Sequence, residues 1–392
     1  MTGGKGVSLG ILLVAECLAM SLWFVSAAIL PGMVAETAMS PVRQAALSSG
    51  VQLGFVVGAL ASAVLGVADR FDPRRVLGIA AVLAGIANLA LLVFEPGSAP
   101  TIAARFLTGI LLAGVYPVGM KIAVGWGQRD RGFLVGALVG ALTLGSALPH
   151  LFALTGGAEW RFTVAFASVA AVAGGIACQL VSLGPHHARA ARFDPRAVTI
   201  AWTNRRVRLA YAGYFGHMWE LYAMWAWIAV AAAASYRATV PEDEAARLAT
   251  LTAFLAIALG GLVSVLAGKG ADRIGKADVA LWAMAASGTC AVLAALTFGG
   301  PVWITFVIVL LWGASIMPDS AQFSALVADN APADRAGSLM TLQTSLGFAL
   351  TFVTVQATPM LAAWAGWPAV MALMALGPAF GIGAMMRLRS LA

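Results

Sequence analysis

The sequence predicts an all-α membrane protein: twelve transmembrane helices in two six-helix, pseudo-symmetric halves. Three observations carry the prediction. Of the 392 residues 61% are hydrophobic and only 10% charged, with a mean hydropathy of +0.89, whereas a soluble domain is nearer one quarter charged. Apolar stretches of the about 20 residues that cross a bilayer as a helix recur along the whole chain between short polar breaks. The longest polar stretch, 184–206, falls close to the middle. Runs of this length exclude a membrane barrel, whose segments are roughly ten residues long and alternate in polarity.

In chain order the expected spans are 8–30, 44–67, 76–95, 100–125, 131–154, 160–183, 207–234, 247–268, 278–299, 302–327, 338–361 and 366–387. The opening MTGGKGVSLG has little basic character, and the apolar run behind it reaches Leu30 without a small-residue cleavage site. It is therefore expected to be the first span and not a removable signal. The domains are then 1–183, a cytoplasmic linker over 184–206, and 207–392. Cys17, Cys178 and Cys290 all fall inside spans with no metal-ligand spacing, so they are expected to be packing residues.

Lys and Arg are retained in short cytoplasmic loops. With both termini cytoplasmic, 18 of the 24 basic residues lie on that side and four, Arg43, Arg161, Arg237 and Arg247, on the other. The net charge of +7 is thus an orientation signal of an inner-membrane, multi-pass protein, and a nucleic-acid partner is not expected.

Offset by 204 residues, the two halves of the chain match. Glu16 falls on Glu220, Ala19 on Ala223, Met20 on Met224 and Trp23 on Trp227, while Arg43 falls on Arg247 and Asp130-Arg131 on Asp334-Arg335. With small shifts Ala68-Asp69-Arg70 matches Ala271-Asp272-Arg273, and Pro117 matches Pro318. Several matches in one order indicate a duplication, and parallel repeats place a transporter's substrate site near the midplane between the halves.

The loop between spans two and three, Gly66 through Asp69-Arg70 to Arg74-Arg75, resembles the signature of the major facilitator superfamily, with a weaker copy from Gly268 to Lys276. In span four, Arg105 stands four residues before Gly109, and span five carries Gly136, Gly140, Gly145 and Pro149. The first resembles a pattern of that superfamily and the second the glycine-rich motif of its proton-coupled exporters, except that Leu148 precedes the proline. The resemblance covers nearly the whole chain. It implies a secondary transporter that works by alternating access, and a conformational latch formed by Gly66, Asp69, Arg70 and Arg74 with Asp272 and Arg273. A glycine that lets helices approach and an Asp at a helix end suit such a two-state contact.

An ionisable group inside a span is costly unless paired or hydrated, which makes each one a functional candidate. Glu16, Met20 and Trp23 share a helix face, as do His217, Glu220, Met224 and Trp227, and the repeat superimposes the two stripes. They are expected to line a central passage, although packing is the commoner fate of Met and Trp. Trp312, Ser315, Asp319 and Gln322 form a further face beside the helix-bending Pro318. Glu220, Asp319, Glu16 and His217 are the expected proton carriers, because a buried carboxylate can bind and release a proton during a cycle. Arg105, Tyr116, Lys121, His150, Trp23, Met20, Met224, Trp227 and Gln322 are the expected substrate contacts. Arg105 suits an anionic group bidentately or, alternatively, a partner that locks helices.

No GxxxxGK[ST] loop is present, so ATP is not expected to drive the cycle, and no cofactor or metal is implied. The expected activity is transport of a small organic solute, anionic or polar, coupled to protons, by a single chain in contact with lipid. Export of amphipathic compounds by proton antiport is the alternative, and metal transport a distant third. An enzyme would gather His, Asp or Glu at a membrane surface, and no such gathering stands out. A passive channel has no use for a latch loop in each half, and a sensor would carry an added soluble domain.

Overall fold

The computed structural model describes residues 4–391 apart from 128–130, 157–158, 187–193, 195 and 333–334; the side chains of residues 68, 69, 131, 197 and 272 are also outside the description. The described residues form helices and no strand. Ten stretches are long and apolar enough to cross a membrane. The last of them, Ala336–Arg389, is 54 residues long and is divided by Gly366, whose φ of 80° no α-helix accommodates. The helix of the seventh span, Arg205–Tyr236, is 32 residues long and long enough to cross, but more polar, since it carries Arg205, Arg206, Arg208, His217 and Glu220. Dividing the one and adding the other gives the twelve spans.

The chain separates into two compact units, Met1–Phe193 and Asp194–Ala392. Among the described residues three spans are interrupted by three or more residues. The first consists of helices Lys5–Met20 and Val25–Glu36, the fourth of Ala99–Leu112 and Tyr116–Val124, and the tenth of Val302–Ile316 and Ser320–Asn330. At the first break, Ser21, Leu22 and Trp23 each donate to the carbonyl three residues back, which tightens the turn. The fourth breaks similarly, with Gly114 and Val115 bonding to Leu111 and Leu112 immediately before Pro117. The sequence pattern alone reads all three as continuous. A three-residue tightening leaves the hydropathy unchanged, so only the Pro signal was legible.

Close approach through small residues builds both units in the same way. In the first, Gly109 of span four lies so near span two that an added Cβ would stand 2.1 Å from the Val51 carbonyl oxygen. In the second, Gly313 of span ten meets span eight, where a Cβ would stand 2.2 Å from the Ala256 carbonyl oxygen. Gly109 and Gly313 are themselves 204 residues apart, so the repeat extends from sequence into packing. Because the obstructing atoms are backbone, Gly109→Ala and Gly313→Ala are each expected to destabilise by about 1–3 kcal/mol or more. Thermal unfolding in detergent, with Gly10→Ala as the control, measures this, since nothing lies within 4 Å of a Cβ at Gly10. Equal melting of all three variants would show that the approach is slack.

The chain after span six is laced onto the first unit. Ser182 donates its N–H to Ser8 Oγ at 3.2 Å, and its carbonyl accepts from Trp126 Nε1 at 3.0 Å. Further on, Asp194 N–H donates to Ser338 Oγ at 2.9 Å and a short helix, Ala197–Thr203, packs on the second unit.

Candidate functional site: buried polar groups in each half

In the first half Glu16 is fully buried on span one. It sits against Gly119 of span four, where an added Cβ would be 2.7 Å from its Oε2. Among the described residues neither of its carboxylate oxygens has a hydrogen-bond partner. Met20 is buried against Gly145 of span five, and Trp23 against the Phe55 ring at 4.8 Å. Both belong to the helix packing of this half.

Arg105 is fully buried and holds the broken first span. Its Nη2 donates to the carbonyls of Leu22 and Trp23 at 2.8 and 3.0 Å, and its Nη1 to Asn88 Oδ1 of span three at 2.7 Å. Asn88 in turn donates to Ser168 Oγ at 3.0 Å. Among the described residues no carboxylate lies within ion-pair distance of Arg105, so its rigid fork is spent on backbone oxygens and an amide. The break at 113–115 separates Arg105 from Tyr116, so the phase of one continuous helix does not carry between them. Tyr116 and Lys121 are half-buried on the second piece of span four. His150 is fully buried one residue after Pro149, with no hydrogen-bond partner at either ring nitrogen among the described residues.

In the second half Glu220 is buried on span seven and faces spans nine and ten. Its Oε1 accepts from Trp312 Nε1 at 2.6 Å and its Oε2 from Ser287 Oγ at 2.9 Å. One turn earlier, His217 Nδ1 lies 2.9 Å from Asp319 Oδ1, both groups no more than 2% exposed. The two atoms approach off the ideal hydrogen-bond direction. The break after Pro318 places Asp319 there as the residue capping Ser320–Asn330, and Tyr214 and Phe323 enclose the imidazole at ring distances of 6.1 and 5.8 Å. Gln322 is buried beside it and donates to the Pro318 carbonyl at 3.4 Å. Met224 and Trp227 border a crevice of about 10 Å³ with Trp312, Trp367 and Met371, and Trp227 Nε1 donates to the Val355 carbonyl at 3.0 Å.

Glu16 and Glu220 are therefore equivalent in place and different in setting. Each points from the first span of its half toward the later spans of that half. One is surrounded by small and apolar groups, the other held at both oxygens by neutral donors. Ser287 as a donor and Asn88 as the acceptor of Arg105 are absent from the sequence-based set, and Trp312 is read there as part of the Asp319 face and not as a donor to Glu220. An amide within the apolar run AGIANLALLV was the available signal for Asn88; nothing local distinguishes Ser287.

Of the residues expected to form a latch, Gly66 takes the left-handed φ of 63° that ends span two, and Arg70 and Arg273 are exposed. Arg74 grips Asp72 bidentately at 3.0 and 2.6 Å and donates to the Val181 carbonyl at 3.3 Å, joining the start of span three to the end of span six. These hydrogen bonds hold the Asp72 carboxyl below the usual carboxylate range, against its partial burial. The side chains of Asp69, Arg131 and Asp272, and residues Asp130 and Asp334 of the repeat, lie outside the described residues.

A family model described as Major Facilitator Superfamily matches residues 12–355. The chain belongs to that superfamily. As such it is a multi-pass membrane transporter. Solved structures of similar fold include the nucleoside transporter NupG, at 13% identity and a TM-score of 0.73, covering 97% of this chain and 99% of the other. A D-xylose-proton symporter matches at 15% identity and a TM-score of 0.75, covering 97% and 96%. The xylose transporter XylE from E. coli, in a partially occluded inward-open conformation, matches at 15% and 0.72, covering 97% and 99%. No curated protein matches the chain in sequence. At these identities the structures establish the superfamily's fold for this chain and leave its solute to be argued from its own residues.

Proposed function

We propose that this superfamily member is a proton-coupled secondary transporter of a small polar organic solute, working as a single chain in the inner membrane with both termini cytoplasmic. Alternating access by rocking of one half against the other is the motion the duplicated architecture suits. The observation that carries the proposal is the second half's acid-base cluster. Glu220 and the His217–Asp319 pair are all buried within one six-helix half, a costly arrangement with no packing rationale. Ionisable groups kept in such a place are suited to taking and losing a proton as access changes.

Glu220 is assigned as the principal carrier, with the His217–Asp319 pair as a second station and Glu16 as the counterpart in the first half. Lys121 and His150 are assigned to the solute. Arg105 is assigned to positioning, since its donors are already committed. The loop beginning at Gly66 is assigned to the latch. Fold-level likeness to nucleoside and xylose carriers is compatible with a polar solute and adds nothing more specific.

A second reading, export of amphipathic compounds in exchange for protons, draws on the crevice between Trp227, Trp312 and Trp367. One experiment separates the two. Purified protein in proteoliposomes loaded with a pH-sensitive dye is given sugars, nucleosides, organic anions, amino acids and amphipathic cations in turn. Proton movement accompanying a polar solute is expected. Movement with amphipathic cations alone supports the second reading, and solute flux with no proton movement overturns both.

A further inference from the structure

The short helix Ala197–Thr203 sits outside the transport machinery and displays what a helix in water would hide. Val198 and Trp202, four residues apart and so on one face, are 39% and 67% exposed. Ala201, on the other side, is buried against the second half. Flanking the helix in sequence are Arg196, Arg205, Arg206 and Arg208, all exposed, and the sequence has no acidic residue from 196 to 219. Among the described residues none of the four arginines has a carboxylate within ion-pair distance; Arg206 and Arg208 donate to the carbonyls of Leu391 and Trp202. The bond from Arg208 ties the Trp202 carbonyl to the first turn of span seven.

We infer that this Trp202–arginine face is a docking surface for the anionic phospholipid headgroups of the adjacent leaflet. An indole with its polar edge free and its ring against acyl chains is at home in the interfacial zone. Four uncompensated guanidinium groups at the same level match phosphate charge and geometry. A soluble protein partner is the poorer match, because the face is only two turns long and continuous with a membrane-spanning helix. The inference rests on the multi-pass placement of the chain and is independent of solute and coupling ion.

The test uses full-length protein in nanodiscs containing phosphatidylglycerol or phosphatidylcholine brominated near the headgroup end of the acyl chain. Twelve tryptophans contribute fluorescence, so the signal of Trp202 is taken as the difference between wild type and Trp202→Phe. That difference is expected to be quenched more by the anionic lipid, with the preference falling in 0.5 M salt and by about fivefold for each of Arg196→Gln and Arg205→Gln. Quenching of exposed Trp282, on span nine, reports that the variants remain folded and inserted. Equal quenching of Trp202 by the two lipids, or a preference unaffected by the arginine variants, overturns the inference. So does the absence of Trp202 quenching in both lipids, which would place the face off the membrane and make a protein its partner.

Discussion

Glu220→Gln is expected to reduce gradient-driven transport to the level of empty vesicles while the protein still inserts, purifies and binds solute. The substitution is nearly isosteric. A glutamine carbonyl oxygen still accepts from Trp312 Nε1, and its amide nitrogen can donate to Ser287 Oγ once that hydroxyl turns to accept. What disappears is the ability to gain and lose a proton. Counterflow of labelled against unlabelled solute needs no net proton movement and is expected to persist, which distinguishes lost coupling from a collapsed site. Full proton movement in Glu220→Gln would remove Glu220 from the mechanism and leave the His217–Asp319 pair as the carrier.

Arg105→Met is expected to lower the stability of the detergent-solubilised protein by about 3 kcal/mol or more, since three buried neutral acceptors each lose a donor at about 1–3 kcal/mol apiece. The methionine fills much of the arginine's volume and supplies no donor. The carbonyls of Leu22 and Trp23 and the amide oxygen of Asn88 would then lose their partner in a region without water. Arg105→Lys keeps the charge and loses the planar fork, so it is expected to recover only part of the loss. Unfolding midpoints of the three proteins with and without solute make the measurement. If the melting points coincide without solute and diverge only when solute is added, Arg105 is a solute contact and not the clamp of the first span.

The fold was legible because its signals are coarse and repeated. Twelve apolar stretches, a central polar segment and the 204-residue offset each survive errors of a few residues, and the Gly109–Gly313 correspondence shows the same periodicity in packing. The buried polar groups were equally legible as a set, since an acid or base in a hydrophobic run is conspicuous. Their partners were not. Helix phase correctly grouped His217 with Glu220, yet it cannot say that Ser287 and Trp312, on two other spans, supply the hydrogens. It does not carry across the break at 113–115, so no ideal-helix phase relates Arg105 to Tyr116. Arg105 shows the limit most clearly: its residue type indicates what it can bind, and only the packing shows that backbone oxygens already occupy it.

The joint in the first span has a mechanical consequence. Counting 204 residues on from Arg105 gives Val309, which offers no donors, and the seventh span, equivalent to the first, runs unbroken from Arg205 to Tyr236. Duplication supplied two copies of one part, and a single basic side chain with its hinge has made them unequal in stiffness. The jointed copy depends on a side chain from another span to hold its two pieces together, whereas the continuous copy is held by its own backbone ladder. A cycle built on such a pair has no reason to weight its two open states equally.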